Sequence, residues 1–353
     1  MLDKRITFID VARGFAMVLI VFGHTIVYSK HCGSVYTLLY SFHVALFFII
    51  SGYTYKPVGS LKRFLKKKFE RIMIPYFIWN VIFLCPYIVL GQSLDMKSSS
   101  GSSFNVYTQI VNIIYGNGNN FALKQNSSLW FLPALFSMEL IFCFLEKNVH
   151  LYQSKYRDLL IVIAQLGIGY ISLDFLSNCY LPWGINTVLQ FGIFFSIGYY
   201  LNQYQVINRI KMPLLFNTIM LMVGFFSCFC NYKRVSAIDY SYGNYILAIL
   251  SGVSLSLFVL RICYKIDKSK IFEYIGKNTM GILIFHKLIV IISQSRLGVI
   301  SSLLKDSNVI IELFTAMIIS FISIGFSLVI NNIIKRFCPV LLGIIKKVGD
   351  SYE

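Results

Sequence analysis

Apolar runs of about 20 residues recur from one end of this 353-residue chain to the other. At a rise of 1.5 Å per residue, an α-helix of that length crosses the hydrocarbon core of a bilayer. Only 13% of the residues are charged and 57% are hydrophobic, whereas a soluble domain carries about 25% charged residues. Lipid must therefore cover most of the surface, and the sequence predicts an all-α bundle of transmembrane helices.

The apolar runs predict about ten transmembrane helices in one integral-membrane domain, residues 1–353, with a long external loop at 91–128 and a basic cytoplasmic loop at 56–71. The first run is too long for a signal peptide and has no small-residue cleavage pattern, so we expect it to be retained. The predicted spans are 8–28, 35–55, 72–91, 129–146, 158–176, 185–202, 213–230, 243–260, 278–295 and 309–334.

The formal net charge of +17 follows from where the basic residues lie and requires no nucleic-acid partner. With the N-terminus inside, 23 of the 32 Lys and Arg residues fall on the cytoplasmic side and seven on the opposite side. Basic residues accumulate in the cytoplasmic loops of membrane proteins, so we expect both termini in the cytoplasm. The eight cysteines have no zinc-site spacing, and we predict no metal site.

Three ionisable residues lie inside the first predicted helix, where contact with lipid is costly and calls for a reason. Asp10 and Arg13 are spaced i, i+3 and can form an ion pair near the cytoplasmic surface. Arg13 and His24 are eleven residues apart, so they face the same side of the helix about 16.5 Å apart along its axis. This face would carry a cation near the cytosol and an imidazole near the outside.

Such an arrangement suits acyl transfer across a membrane. The phosphates of a cytosolic donor such as acetyl-CoA need cations, and an acceptor hydroxyl needs a general base, for which imidazole has a suitable pKa. His24 could instead be a buried packing residue. Lys67, Lys68 and Arg71 in the basic segment could bind the donor phosphates. The same segment could form an amphipathic helix on the anionic inner leaflet, and these two interpretations are compatible.

Three further residues are candidates for the site, each with a plain structural alternative. Glu139 is the best carboxylate within the predicted membrane region and could orient His24 or another partner. His43 has a depth close to that of His24 and could line the same cavity or simply pack. Trp130 could stack on a sugar at the outer mouth or belong to the interfacial aromatic belt.

Five segments of the chain form an ordered set of motifs: FIDVARGFAMVLIVFGH at 8–24, SFHVALFFIISGY at 41–53, KKKFERIMIPYFIW at 66–79, SSLWFLPALF at 127–136 and FEYIGKNTMGILIFH at 272–286. Together they span nearly the whole chain. They resemble the acyltransferase-3 family of bacterial membrane O-acetyltransferases, in which an Arg and a His separated by ten residues open the protein. One departure concerns the family's R-x-x-R pair, which reads Lys68-x-x-Arg71 here, and lysine lacks the planar fork of arginine.

The resemblance implies transfer of an acyl group, commonly acetyl, from cytosolic acyl-CoA to a hydroxyl of an envelope polysaccharide or a lipid-linked sugar. The location would be the bacterial cytoplasmic (inner) membrane. His24 would be the essential histidine and Arg13 its partner in the motif, while His286 ends the fifth segment and becomes a candidate for the substrate site. Two alternatives stay open: a transporter or flippase for an envelope lipid or sugar, and an acyltransferase acting on a small molecule.

Overall fold

The chain forms an all-helical bundle. The computed structural model describes residues 7–56, 60–90, 105–116, 118–119, 122–149, 155–176, 179–296, 302–304 and 308–345. Residues 91–104 of the predicted external loop and both chain ends lie outside the described residues. The helices are α1 (Thr7–Ile26), α2 (Gly33–Tyr53), α3 (Leu61–Lys68), α4 (Ile74–Leu90), α5 (Val106–Tyr115), α6 (Phe131–Val149), α7 (Lys155–Phe175), α8 (Ile185–Gln203), α9 (Val206–Arg209), α10 (Pro213–Phe229), α11 (Tyr245–Ile266), α12 (Lys270–Lys277), α13 (Thr279–Arg296) and α14 (Val309–Phe337).

Each of the ten predicted spans corresponds to a helix. Among the described residues, seven helical stretches are long and apolar enough to cross a membrane: α1, α2, the stretch from α3 into α4, α6, α7, α11 and α14. Helices α12 and α13 meet that criterion only as a pair, bent by 87° between them, and α10 is a shorter apolar helix. The predicted multi-spanning fold is thereby confirmed, while the side that faces the cytoplasm stays a prediction.

The basic segment predicted at 56–71, for which an amphipathic helix is one interpretation, forms helix α3 from Leu61 onward. Helix α3 continues through a π-helical turn, Phe69–Met73, directly into α4. The side chain of Phe64 is 2% exposed and that of Ile72 is 7% exposed. Because this apolar stripe packs into the bundle, the segment extends the third span at one end of the molecule.

Helices α2 and α8 approach closely because each presents a glycine to the other. A Cβ atom on Gly52 would lie 1.9 Å from the backbone oxygen of Phe195, and one on Gly198 would lie 2.0 Å from that of Ile49. Small residues permit such backbone contact between membrane helices. Helix α1 also packs against α2, so these contacts help to position the face of α1 that carries the predicted site.

Substituting Gly52 with alanine should destabilise the bundle by about 1–3 kcal/mol, because the new methyl group must push two backbones apart. The melting temperature of the purified protein in detergent measures the effect. Gly167 in α7 is the matched control, since an added Cβ there has no atom within 4 Å. Equal melting temperatures for Gly52→Ala and Gly167→Ala would contradict the expectation.

The bundle has two ends, named here after the α1 residues nearest to each. At the Arg13 end, Arg13 Nη2 donates a hydrogen bond of 2.9 Å to Thr54 Oγ1, just beyond the end of α2. At the His24 end, the guanidinium of Arg234 lies 4.2 Å from the ring centroid of Tyr36. This contact joins α2 to the segment between α10 and α11.

Candidate active site

One face of α1 lines two cavities. Arg13 lines a cavity of about 250 Å³, the Arg13 cavity, and His24 lines a cavity of about 290 Å³, the His24 cavity. Ile20, Phe131 and Leu283 line both. The two cavities therefore meet at three hydrocarbon side chains. The spacing between Arg13 and His24 places one of these residues in each cavity.

Asp10 and Thr54 contact the guanidinium of Arg13, which lines its cavity. Its Nη1 atom lies 3.5 Å from Oδ1 of Asp10, and Nη2 donates to Thr54. The carboxylate of Asp10 is buried, with the residue 1% exposed. The i, i+3 ion pair expected from the sequence is thus present.

A second ion pair lies in the Arg13 cavity. Lys68 Nζ is 2.7 Å from Glu139 Oε1, and both residues line the cavity. Glu139 therefore lies at the opposite end from His24. The sequence left open whether Glu139 would orient His24 or another partner, and in the structure it contacts Lys68. The other carboxylate oxygen of Glu139, Oε2, is buried without a hydrogen-bond partner among the described residues.

The helical phase explains why Lys68 reaches this cavity. It lies four residues after Phe64, which is buried in the bundle, so both side chains face the same direction. Lys67 and Arg71 are exposed on the same segment. The predicted cation cluster is therefore divided between one residue inside the cavity and two at the surface of the Arg13 end.

Replacing Lys68 with methionine should lower the free energy of unfolding by about 3 kcal/mol, because Glu139 would keep a buried carboxylate without its cation. Thermal unfolding in detergent checks this expectation. The double variant Lys68→Met/Glu139→Gln should recover most of the loss, since it removes both charges. A double variant as unstable as the single one would show that the ion pair is not the cause.

The His24 cavity gathers several of the predicted site residues. His24, His43 and Trp130 all line it. His43 Nδ1 lies 2.7 Å from the carbonyl oxygen of Leu39 in the preceding turn, so Nδ1 carries the proton and donates to that oxygen. The other ring nitrogen of a neutral His43 is then an acceptor.

His286 lies behind His24 in the core. The two imidazole ring centroids are 5.2 Å apart, and His286 is 0% exposed. Its Nδ1 atom is 2.7 Å from the carbonyl oxygen of Ile282, while Nε2 is buried without a hydrogen-bond partner among the described residues. Four of the predicted site residues are thus close together, and the other two, Arg13 and Glu139, line the Arg13 cavity. The four are His24, His43, Trp130 and His286.

Several polar residues that line the His24 cavity were not predicted from the sequence. Lys287, Ser127 and Ser128 line it, and Lys287 Nζ donates a hydrogen bond to Ser127 Oγ. A signal for Lys287 was available, since a lysine within an apolar helix is costly and usually functional. Its serine partners belong to a distant segment, and no local pattern links them to α13.

Three tyrosines also line this cavity. Tyr28, Tyr36 and Tyr40 line it, and the rings of Tyr36 and Tyr40 have centroids 4.1 Å apart. Burial raises the pKa of Tyr28, which lies just beyond α1, and the neighbouring Tyr36 raises it further. The hydroxyl therefore stays neutral and available as a hydrogen-bond donor. Within the described part of the chain, no group of three His, Cys, Asp or Glu side chains could hold a metal ion.

Comparison with known proteins identifies the family. The family model described as an acyltransferase domain, that of the acyltransferase-3 family, matches residues 6–331. The chain is also similar to glucans biosynthesis protein C of Escherichia coli O1:K1, K12 and O157:H7, with 26% identity over 192 residues, 47% of this chain and 48% of each relative. It thus spans about half the length of the curated relatives it matches. No solved structure gives a significant match. The chain belongs to the acyltransferase-3 family.

Proposed function

We propose that the chain transfers an acetyl group from cytosolic acetyl-CoA to a hydroxyl of a cell-envelope glycan or its lipid-linked precursor. It would act as a multi-pass protein of the bacterial cytoplasmic membrane. The pair of cavities that meet at Ile20, Phe131 and Leu283 carries the proposal, because a donor and an acceptor on opposite sides of a bilayer need such a route. The glucan in the relatives' name supports a glycan acceptor.

The Arg13 end has the charge that a CoA donor requires. Arg13 and Lys68 line the cavity, and Lys67 and Arg71 are exposed beside it. These cations would neutralise the phosphates of acyl-CoA through charge-assisted hydrogen bonds. The basic bias of the predicted cytoplasmic segments supports a cytosolic location for this end. The slender pantetheine arm would then carry the thioester into the cavity, toward the constriction.

At the His24 end, the chemistry needs a base and an acceptor site. His24 would take the proton of the acceptor hydroxyl while its oxygen attacks the thioester carbonyl carbon. The C–S bond then breaks, and His24 returns the proton to the CoA thiolate. In the alternative route, a nitrogen of neutral His24 attacks the thioester carbonyl carbon, the C–S bond breaks, and the CoA thiolate leaves with the proton of the acylated ring. The acceptor hydroxyl then attacks the acyl group, the C–N bond breaks, and the hydroxyl proton returns to the imidazole. Both routes require His24.

The neighbouring residues would serve acceptor binding and charge stabilisation. His43 and Trp130 line the same cavity as His24 and would contact the acceptor. His286, against the ring of His24, would complete this part of the site. Lys287 would stabilise the oxyanion of the tetrahedral intermediate, since a cation in a water-poor site interacts strongly with developing negative charge.

Transfer by the purified protein tests the proposal directly. The protein, reconstituted in vesicles, is given acetyl-labelled acetyl-CoA and envelope glycan from a strain that lacks the chain. We expect CoA release and label on the glycan. A transporter or flippase would release no CoA, and that result would overturn the proposal. Mass spectrometry of the glycans from cells with and without the gene gives an independent readout.

The double variant Lys68→Met/Glu139→Gln, which we expect to be more stable than Lys68→Met alone, separates the effect on donor binding from the effect on folding. If Lys68 contacts the phosphates of CoA, this variant should show a KM for acetyl-CoA raised by about tenfold, as expected for the loss of one charged hydrogen bond.

A further inference from the structure

A second concave surface lies beside the His24 cavity. It has a volume of about 380 Å³ and is formed by the end of α7, by α8 and by the segment between α10 and α11. Asp239 lines both this surface, named here the Tyr240 cleft, and the His24 cavity. The two are therefore neighbours at the same end of the bundle. The cleft is lined by Leu173, Asp174, Leu176, Tyr180, Gln190, Tyr232, Lys233 and residues 239–243.

The lining of the Tyr240 cleft combines flat aromatic rings with hydrogen-bond acceptors. The rings of Tyr180 and Tyr240 are nearly parallel, at 26°, with centroids 6.0 Å apart. Tyr232 is 75% exposed, and Asp174 and Asp239 are exposed carboxylates. A sugar ring has an apolar C–H face and an edge of hydroxyl donors, so it matches such a surface on both counts.

The backbone at this cleft is held in an unusual conformation. Tyr240 has φ +53°, which a residue with a large side chain rarely adopts. The neighbouring residues hold it there: Ser236 and Ser241 form an antiparallel bridge, and Ser236 Oγ donates to Asp239 Oδ2 at 2.7 Å. Strain retained in this way is typical of binding sites.

Hydrogen bonds also fix the floor of the cleft. The Tyr242 hydroxyl donates to Gln190 Oε1 at 2.6 Å. Burial raises the pKa of Tyr240 to about 12, with further contributions from Tyr180 and Asp239. Its hydroxyl therefore stays protonated.

We propose that the Tyr240 cleft binds sugar residues of the acceptor chain that adjoin the residue being acylated in the His24 cavity. This inference rests on the proposed function and makes the acceptor an oligosaccharide or a longer glycan instead of a small molecule. The charges favour an uncharged sugar chain, because two carboxylates, Asp174 and Asp239, accompany a single lysine, Lys233, in the lining.

The test compares acceptor lengths. Envelope glycan from a strain that lacks the chain is cut into single-sugar and long fragments, and transfer from labelled acetyl-CoA is measured with each. The variant Tyr232→Ala/Asp174→Asn removes one exposed ring and one exposed carboxylate. We expect its KM for long fragments to rise about tenfold, the effect of losing a stacking contact and a hydrogen bond, while its KM for single sugars stays unchanged.

Tyr107 on α5 provides the matched control, because it is also 75% exposed but is not part of the cleft. Tyr107→Ala should leave both KM values unchanged. An unchanged KM for long fragments in the cleft variant, or an equal rise for both lengths, would overturn the cleft assignment. If the wild-type protein acetylates neither fragment, the proposed function itself fails, and this inference with it.

Discussion

His24→Ala should lower acyl transfer by about 10²–10⁴-fold, the usual contribution of a general base. The imidazole lines the cavity where the acceptor would bind, and in both proposed routes it either activates the hydroxyl or carries the acyl group. The variant should insert and fold, because the imidazole borders a cavity and the smaller alanine side chain fits in its place. Transfer of labelled acetyl to glycan, together with the melting temperature, measures both aspects.

His43→Ala is the appropriate comparison, because His43 lines the same cavity and is itself buried. Its role in acceptor binding predicts a KM for the acceptor raised by up to about tenfold with little change in kcat. Full O-acetylation of the glycans in cells that carry only His24→Ala would remove His24 from the mechanism. A loss of kcat in His43→Ala as large as that in His24→Ala would transfer the role of base to His43 or to the pair.

Ile20→Phe should abolish transfer while leaving acyl-CoA binding intact. Ile20 lines both cavities, so the larger phenylalanine side chain would fill the point where the cavities meet. The thioester would then stop short of His24, and a misplacement of about 1 Å already costs about 10²-fold in rate. Calorimetric titration with acetyl-CoA and the rate of transfer to glycan measure the two effects separately.

Val18→Phe on the same helix controls for the added bulk. Val18 is partly buried and packs against the hydrophobic core, but it lines neither of the two cavities. We expect this variant to lose some stability and to retain its turnover per folded molecule. If Ile20→Phe transfers at the wild-type rate, the acyl group does not pass between Ile20, Phe131 and Leu283.

The helices could be predicted because run length and hydropathy are local properties, and lipid leaves the backbone few alternatives. The departures arise where tertiary contacts extend or bend a helix. The basic segment joins α4 because Phe64 and Ile72 are buried in the bundle. The many charges of the segment make this burial hard to predict from the sequence. The bend of 87° between α12 and α13 has a similar origin, since α12 packs against α1 at Gly14 and Phe272.

The positions of Arg13 and His24 toward opposite ends of α1 could be predicted because both lie on one helix with a fixed rise per residue. Glu139 shows how depth can be used: it lies nine residues after Trp130, about 13.5 Å further along the chain direction of α6. That depth places it away from the end where His24 lies, with Lys68. Two other contacts join segments that are distant in the sequence, and no spacing in the sequence indicates them. They are the hydrogen bond from Lys287 to Ser127 and the ring contact between Tyr180 and Tyr240.

The hydrocarbon contact between the two cavities has a consequence for the energetics of the cell. A pathway that joined two aqueous compartments would let protons and ions run down the membrane potential, which is worth about 2.3 kcal/mol per charge for each 100 mV. Ile20, Phe131 and Leu283 offer no polar atom to a hydrated ion where the cavities meet, and apolar constrictions exclude water. An acetyl group, which is small and uncharged, can be handed across such a contact while the membrane stays electrically sealed.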